Sequence, residues 1–226
     1  MIFSKLKTLS ERNRIKKKAK KLFFMVVIVL TVAIITRLFI GEPCQVSSVS
    51  MLPTIMAGDW LWINKIVYGG RLPERFADIP LLNIFTHISS LRDADSKNSW
   101  GYNRLPGFKQ PGINDIIVFN SPEDKDILLV KRIVKVFRKG DIINPEDIHN
   151  YPLFEQHSIK NERHNYYTLT QNYYFVMGDN RDNSNDSRSF GYISERLVVG
   201  KINNVIMSVT TEDFKFRYNR FFLRIR

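Results

Sequence analysis

Cysteine and histidine are scarce in this sequence. Cys44 is the one cysteine, so the chain cannot form an intrachain disulfide or a cysteine-based metal cluster. The four histidines, His87, His149, His157 and His164, lack the spacing of metal ligands, and we expect them at the surface. We therefore expect neither a metal nor a cofactor in the chemistry of this protein.

The body of the chain lacks excess positive charge, although the formal net charge is +12. Residues 1–21 hold nine Lys or Arg and one acid, and residues 212–226 hold five basic and two acidic side chains. The 190 residues between them carry 20 basic and 19 acidic side chains. A phosphate-binding groove would concentrate Lys and Arg in the body, so the distribution argues against a nucleic-acid partner.

A long apolar run follows the basic N-terminus. Residues 22–40 contain a single charge, Arg37, and nineteen such residues can cross a bilayer because the arginine can snorkel to the interface. A cleaved signal peptide would need a small-x-small site, which does not follow, and a buried core helix would not need basic residues on one side only. We predict a membrane anchor at 22–40, with residues 1–21 in the cytoplasm and residues 41–226 outside.

Strand-like runs follow the anchor, and irregular stretches separate them. Residues 71–111, rich in Pro, Gly, Asn and Ser, are interpreted as an insertion, and the polar residues from about 142 to 172 as a cap subdomain. Residues 214–226 alternate apolar and basic side chains, which fits either a last strand or a segment at the lipid interface. The runs that predict strands are 58–65, 113–120, 127–137, 173–177, 197–202 and 205–207.

The stretch from Ser48 to Thr54 places two serines two residues apart, just after the apolar run. If the strand-like residues before them continue, both side chains point to the same side. Pro53 favours an extended residue before it, so Ser50 would lie where a strand ends and the chain turns. A hydroxyl there would be rigid and still accessible, although an ordinary serine-rich turn fits the same residues.

Lys131 lies in a strand with apolar residues on both faces, between Leu129 and Ile133 on one of them. Burial would disfavour the ammonium and lower the pKa of this amine. A lysine whose pKa falls towards neutrality can act as a general base. The alternative is a lysine at a sheet edge, with its amine in solvent.

The polar residues 178–188 follow the predicted strand 173–177. Their pattern is not that of a calcium-binding loop, because no glycine is sixth and no glutamate is twelfth after Asp182. Eleven consecutive polar residues are too many for a single Asx turn. We expect this loop to fold back and order another part of the chain.

Four stretches, in this order, resemble bacterial type I signal peptidases, which are membrane-anchored serine proteases. They are the Ser-x-Ser-Met-x-Pro-Thr box at 48–54, the Gly-Asp-Trp strand at 58–65, the Lys-Arg-Ile-Val strand at 131–134, and the Gly-Asp-Asn-Arg-Asp-Asn-Ser-x-Asp-Ser-Arg box at 178–188. Residues 135–141 depart from the family's Gly-x-Pro-Gly-Asp pattern. The conformation of the chain where it leaves the strand with Lys131 is therefore not implied by the resemblance.

The resemblance implies a mainly β catalytic domain of antiparallel sheets with an inserted cap, preceded by one transmembrane helix in the bacterial cytoplasmic membrane. It implies Ser50 as nucleophile and Lys131 as general base, with the Ser50 N–H and the Ser48 hydroxyl as the oxyanion hole. The resemblance also implies three supporting residues. Ser184 would orient the Lys131 amine, and Asp186 and Arg188 would order the 178–188 loop. The implied substrates are the signal peptides of exported preproteins, bound as an added strand.

Three alternative functions were weighed against this one. A self-cleaving repressor protease shares the Ser/Lys chemistry but would need a DNA-binding helix pair in place of the apolar run. An inactive relative that only binds signal sequences should have lost Ser50 or Lys131, and both are present. A basic binder of nucleic acid or of membrane surfaces does not fit the near-neutral body.

Overall fold

The N-terminal apolar segment is helical. The computed structural model describes residues 2–80, 100–124, 127–144, 158–161, 166–210 and 212–225. Helix α1 (Ile2–Ile35) continues into a π-helical segment, Thr36–Ile40. Its part Arg14–Ile40 is long and apolar enough to cross a membrane. The helix begins well before the predicted anchor because lysine is also a good helix former.

The rest of the described chain is mainly β, as predicted, and most of it lies in a separate compact unit, Phe39–Glu74 with Trp100–Arg226. Seven strands form an antiparallel sheet in the order β1-β2-β10-β3-β4-β8-β9. Their bounds are β1 Gly41–Gln45, β2 Asp59–Asn64, β3 Ile116–Asn120, β4 Leu128–Phe137, β8 Tyr173–Met177, β9 Ile193–Ser194 and β10 Val198–Ser208. A four-residue helix, α2 (Ser187–Phe190), precedes β9.

Three apolar clusters form the core of the described part of this unit, and β3 contributes to two of them. Ile116 and Val118 pack into one cluster, whereas Ile117 and Phe119 pack into the other. This alternation is what a strand buried on both faces produces. Strand β4 pairs with β3 on one side and β8 on the other, so it is an interior strand rather than a sheet edge.

The C-terminal strand differs from the prediction. Two strands were expected at 197–202 and 205–207, but β10 runs unbroken over Val198–Ser208. Asparagine has a low strand propensity, so the Asn203–Asn204 pair would favour the end of a strand. The strand continues because its register against β2 shifts on either side of Val205. A bulge of this kind lets a strand continue through residues of low strand propensity.

The two predicted insertions are described in part. Strands β5 (Ile142–Ile143), β6 (Ser158–Asn161) and β7 (Tyr166–Leu169) form a small sheet in the order β5-β7-β6, within the stretch interpreted as a cap. The described part of residues 71–111 contains an isolated bridge between Arg71 and Arg104 and one short 3-10 turn, Phe76–Asp78. Residues 81–99 and all four histidines lie outside the described residues. The cap and the insertion therefore stay predictions.

Candidate active site

Ser50 lies in a closed turn between β1 and β2. Strand β1 ends at Gln45, earlier than expected, so Ser50 lies within the turn and not at the end of a strand. The ends of the turn are joined, because Val46 donates to the Asp59 carbonyl at 2.9 Å and Gly58 donates to the Val46 carbonyl at 2.7 Å. A rigid turn of this kind holds the Ser50 hydroxyl in one place.

Lys131 contacts this hydroxyl directly. Its Nζ donates a hydrogen bond to Ser50 Oγ at 2.7 Å. Lys131 is 3% exposed and Ser50 is 9% exposed, so the pair is largely shielded from water. The amine reaches this position from the interior strand β4, where Lys131 is the register partner of Ile117 on β3. The alternative of a lysine with its amine in solvent is therefore wrong.

Burial lowers the pKa of the Lys131 amine, because the interior disfavours the ammonium form. The Asp186 carboxylate opposes this effect and the Arg188 guanidinium adds to it, so the net direction is downward. A lowered pKa increases the share of neutral amine at a given pH. A neutral amine at hydrogen-bond distance from a hydroxyl can accept its proton.

The Ser48 hydroxyl also lies close to the Ser50 hydroxyl. The two Oγ atoms are 3.3 Å apart, and Ser48 is exposed. Within the described part of the chain, the Ser50 N–H makes no hydrogen bond to the backbone. The Ser48 hydroxyl is therefore accessible from solvent, and the Ser50 N–H is not engaged by the described backbone.

Asp186 is the centre of the 178–188 loop. Its side chain is fully buried and accepts hydrogen bonds from the Gly178 N–H at 3.0 Å and from Arg188, through Nε and Nη2, at 2.9 Å each. Burial alone would raise the pKa of this carboxyl, but the Arg188 guanidinium and the Gly178 N–H outweigh it and lower the pKa to about 2. Asp186 also caps helix α2 through the Arg188 N–H.

Ser184 does not make the contact expected of it. Its Oγ is buried and makes no hydrogen bond with any described residue, including Lys131. It lies close enough to Asp186 to help lower the pKa of that carboxyl, but without ordinary hydrogen-bond geometry. The role of Ser184 in orienting the lysine therefore stays a hypothesis.

The loop reaches the Ser50 segment through two residues whose roles were not expected from the sequence. Asn180 donates from its backbone N–H to the Ser50 carbonyl at 3.0 Å and from Nδ2 to the Val49 carbonyl at 3.1 Å. A Cβ on Gly178 would lie 2.4 Å from the Ser50 carbonyl oxygen, so only glycine allows this approach. The expectation that the loop orders another part of the chain is met by these contacts.

A second connection joins the loop to β4 and to the turn. Asp179 accepts two hydrogen bonds from Arg132, at 2.8 Å each, and one from Thr54 Oγ1 at 2.6 Å. Arg132 follows Lys131 directly, so the strand that carries the lysine and the turn that carries Ser50 share one carboxylate. The motifs contain all three residues, but only the fold indicates that they meet.

The sequence matches known proteins over most of its length. The family model described as signal peptidase, peptidase S26, matches residues 19–207. Signal peptidase I of Pseudomonas aeruginosa is 28% identical, over 80% of this chain and 69% of that protein. Signal peptidase I of Haemophilus influenzae is 26% identical, over 97% of this chain and 81% of that protein. The probable signal peptidase I-1 of Synechocystis is also 26% identical, over 78% and 76% respectively.

The family match covers the turn with Ser50, the strand with Lys131 and the loop with Asp186. It also begins within helix α1, three residues before the apolar run 22–40. The chain therefore belongs to the signal peptidase family, peptidase S26, and is an enzyme of that family.

Proposed function

We propose that this protein is a membrane-anchored serine endopeptidase that removes N-terminal signal peptides from exported preproteins with a Ser/Lys dyad. The observation that carries the proposal is the buried 2.7 Å contact between Lys131 Nζ and Ser50 Oγ. A serine hydroxyl is a weak nucleophile until a base accepts its proton. Lys131 is the one amine at hydrogen-bond distance from that hydroxyl among the described side chains.

The reaction follows from this pair. Ser50 Oγ attacks the scissile carbonyl carbon while its proton passes to Lys131 Nζ. The Ser50 N–H and the Ser48 hydroxyl stabilise the oxyanion of the tetrahedral intermediate. Lys131 then gives the proton to the leaving amine, and the acyl-enzyme forms. A water molecule, deprotonated by Lys131, hydrolyses this ester in the second half of the reaction.

The 178–188 loop supports the pair. Asp186 and Arg188 hold the loop in shape, and Asn180 fixes the carbonyls of Val49 and Ser50. Ser184 is proposed to bind the Lys131 amine when substrate is present, since its buried Oγ is not engaged by the described residues. An extended substrate, with small side chains at two alternate positions, would bind as an added strand.

The apolar helix supports the proposed location. Residues 22–40, which lie within the candidate stretch Arg14–Ile40, would span the bacterial cytoplasmic membrane, and the basic residues 1–21 would stay on the cytoplasmic side. Ser50 then follows the membrane segment by ten residues on the outer side. A signal peptide in the bilayer would present its cleavage site on that same side.

Replacing Ser50 with alanine tests the proposal. We expect membranes that contain the S50A variant to bind a preprotein and leave it uncut, whereas wild-type membranes release the mature protein, as N-terminal sequencing of the product would show. The matched control is S47A, a neighbouring exposed serine, which should cleave normally. Normal cleavage by S50A would exclude Ser50 as the nucleophile.

A further inference from the structure

The C-terminal tail is held against β10. Val209 bridges to Phe216, and Asn204 bridges to Arg224, so the tail forms two isolated bridges rather than a continuous last strand. The side chain of Ile225 is buried in the same cluster as Met51 and Ile55 of the Ser50 turn. The lipid interpretation of the tail stays a prediction. Its backbone is fixed close to the turn that carries Ser50.

Arg220 reaches from the tail to that turn. Its Nε donates to Asp59 Oδ1 at 3.0 Å, and its Nη2 donates to Asp59 Oδ2 at 2.6 Å. The same Nη2 donates to the Thr54 carbonyl at 3.0 Å. Asp59 is fully buried and also accepts from the Met56 N–H at 2.8 Å. One guanidinium therefore connects the first residue of β2, the middle of the turn and the tail.

Arg217, three residues earlier, contacts the same turn. Its Nη2 donates to the Ala57 carbonyl and, at 3.2 Å, to the Val209 carbonyl. Arg217 directly precedes the 3-10 turn Tyr218–Arg220, and Arg220 is its last residue. Two carbonyls of the turn, at positions 54 and 57, are thus held by the tail.

Thr54 is held from both directions. Its carbonyl accepts from Arg220, and its hydroxyl donates to Asp179 in the 178–188 loop. Within the turn, Ile55 donates to the Met51 carbonyl at 2.9 Å, and Met51 directly follows Ser50. The tail is therefore coupled to the nucleophile through Thr54, Ile55 and Met51 of the turn.

We propose that Arg220 is a positioning residue that keeps the Ser50 hydroxyl within reach of Lys131 from the tail. The inference rests on the proposed protease function. A displacement of about 1 Å between reacting groups can cost about 100-fold in rate. Arg220 contacts neither Lys131 nor the Ser50 hydroxyl, so its loss should change the position of the nucleophile and leave the pKa of the base unchanged.

The test compares full-length, detergent-solubilised wild-type protein with R220K on a signal-peptide-derived substrate. Lysine keeps the cation beside Asp59 but lacks the planar fork that binds both carboxylate oxygens and the Thr54 carbonyl. We expect R220K to stay folded and to lose about 10- to 100-fold in kcat. KM should stay within about threefold, and the pH dependence of kcat/KM should not move. The control is K215A on the same tail, whose exposed ammonium pairs with Asp213 and should not affect kcat.

A chemical rescue separates positioning from folding. Adding millimolar guanidinium ion to R220A should restore part of kcat, because the free ion can occupy the space beside Asp59. Unchanged kcat in R220K would overturn the inference. It would also fail if both Arg220 variants are unfolded at the assay temperature, since the residue would then serve the fold. A folded wild type that does not cut the peptide would instead overturn the proposed function, and this inference with it.

Discussion

Replacing Lys131 with methionine is expected to lower kcat/KM for signal-peptide cleavage by about 10⁴-fold, as for loss of the base in a nucleophile–base pair. Methionine fills most of the volume of the lysine side chain but cannot accept the Ser50 proton. Because Lys131 is 3% exposed, its replacement also removes a buried polar group. The free energy of unfolding should therefore stay within about 1 kcal/mol of the wild-type value. Steady-state kinetics and urea denaturation measure the two effects.

The matched control lies in the same strand. Lys135 is exposed, with its amine 4.6 Å from the centre of the Phe137 ring, and K135M should cleave at the wild-type rate. If K131M retains activity within about tenfold of wild type, a second group must serve as the base. If K131M unfolds while K135M does not, Lys131 contributes to the fold and the kinetic comparison would have to use a smaller substitution.

Replacing Asp186 with alanine is expected to lower the free energy of unfolding by about 3 kcal/mol and to lower kcat as well. The variant leaves the Gly178 N–H without its acceptor and removes the cap of α2. Asn180 of the same loop contacts the Ser50 segment. A disordered loop would therefore no longer hold the nucleophile in position. D182A changes an exposed carboxylate in the same loop and should stay within about 0.5 kcal/mol of wild type.

The effect of Asp186 should depend on pH in a known direction. Its pKa in the folded protein is about 2, below the ordinary value of 3.8 that applies to the unfolded chain. The ionised carboxylate therefore stabilises the fold fully above the ordinary value, and this contribution is lost as the pH falls towards about 2. Wild type and D186A should converge in urea midpoint in acid. Equal midpoints at neutral pH would contradict the role assigned to this side chain.

The parts of the site that lie in short motifs could be predicted from the sequence. Lys131 was identified because an apolar strand makes a charged residue conspicuous, and Ser50 because a proline shortly follows it. Each of these two inferences rests on neighbours only a few positions away from the residue concerned. Only the resemblance to the family motifs indicated that Ser50 and Lys131 act together. Periodicity could not indicate this, because the two residues are 81 positions apart.

The contacts between distant residues could not be predicted. Arg220 and Asp59 are 161 residues apart, and a basic, aromatic tail gives no indication that its arginines bind a buried carboxylate. The expected Ser184–Lys131 contact is absent among the described residues, because hydrogen-bond geometry depends on loop conformation that the motif does not specify. The unbroken β10 was missed because local propensity does not include the neighbouring strands that stabilise it.

The most direct test of the central claim is the pH dependence of kcat/KM, which reports the ionisation of the free enzyme. Lys131 must be neutral to accept the Ser50 proton, so activity should rise with pH through the pKa of this amine. Burial lowers that pKa, and the rise should therefore occur below the ordinary pKa of lysine. Asp186, with a pKa of about 2, stays ionised throughout and cannot produce this limb. An acid limb at the ordinary lysine pKa, or activity that falls as the pH rises through this range, would contradict a buried neutral base.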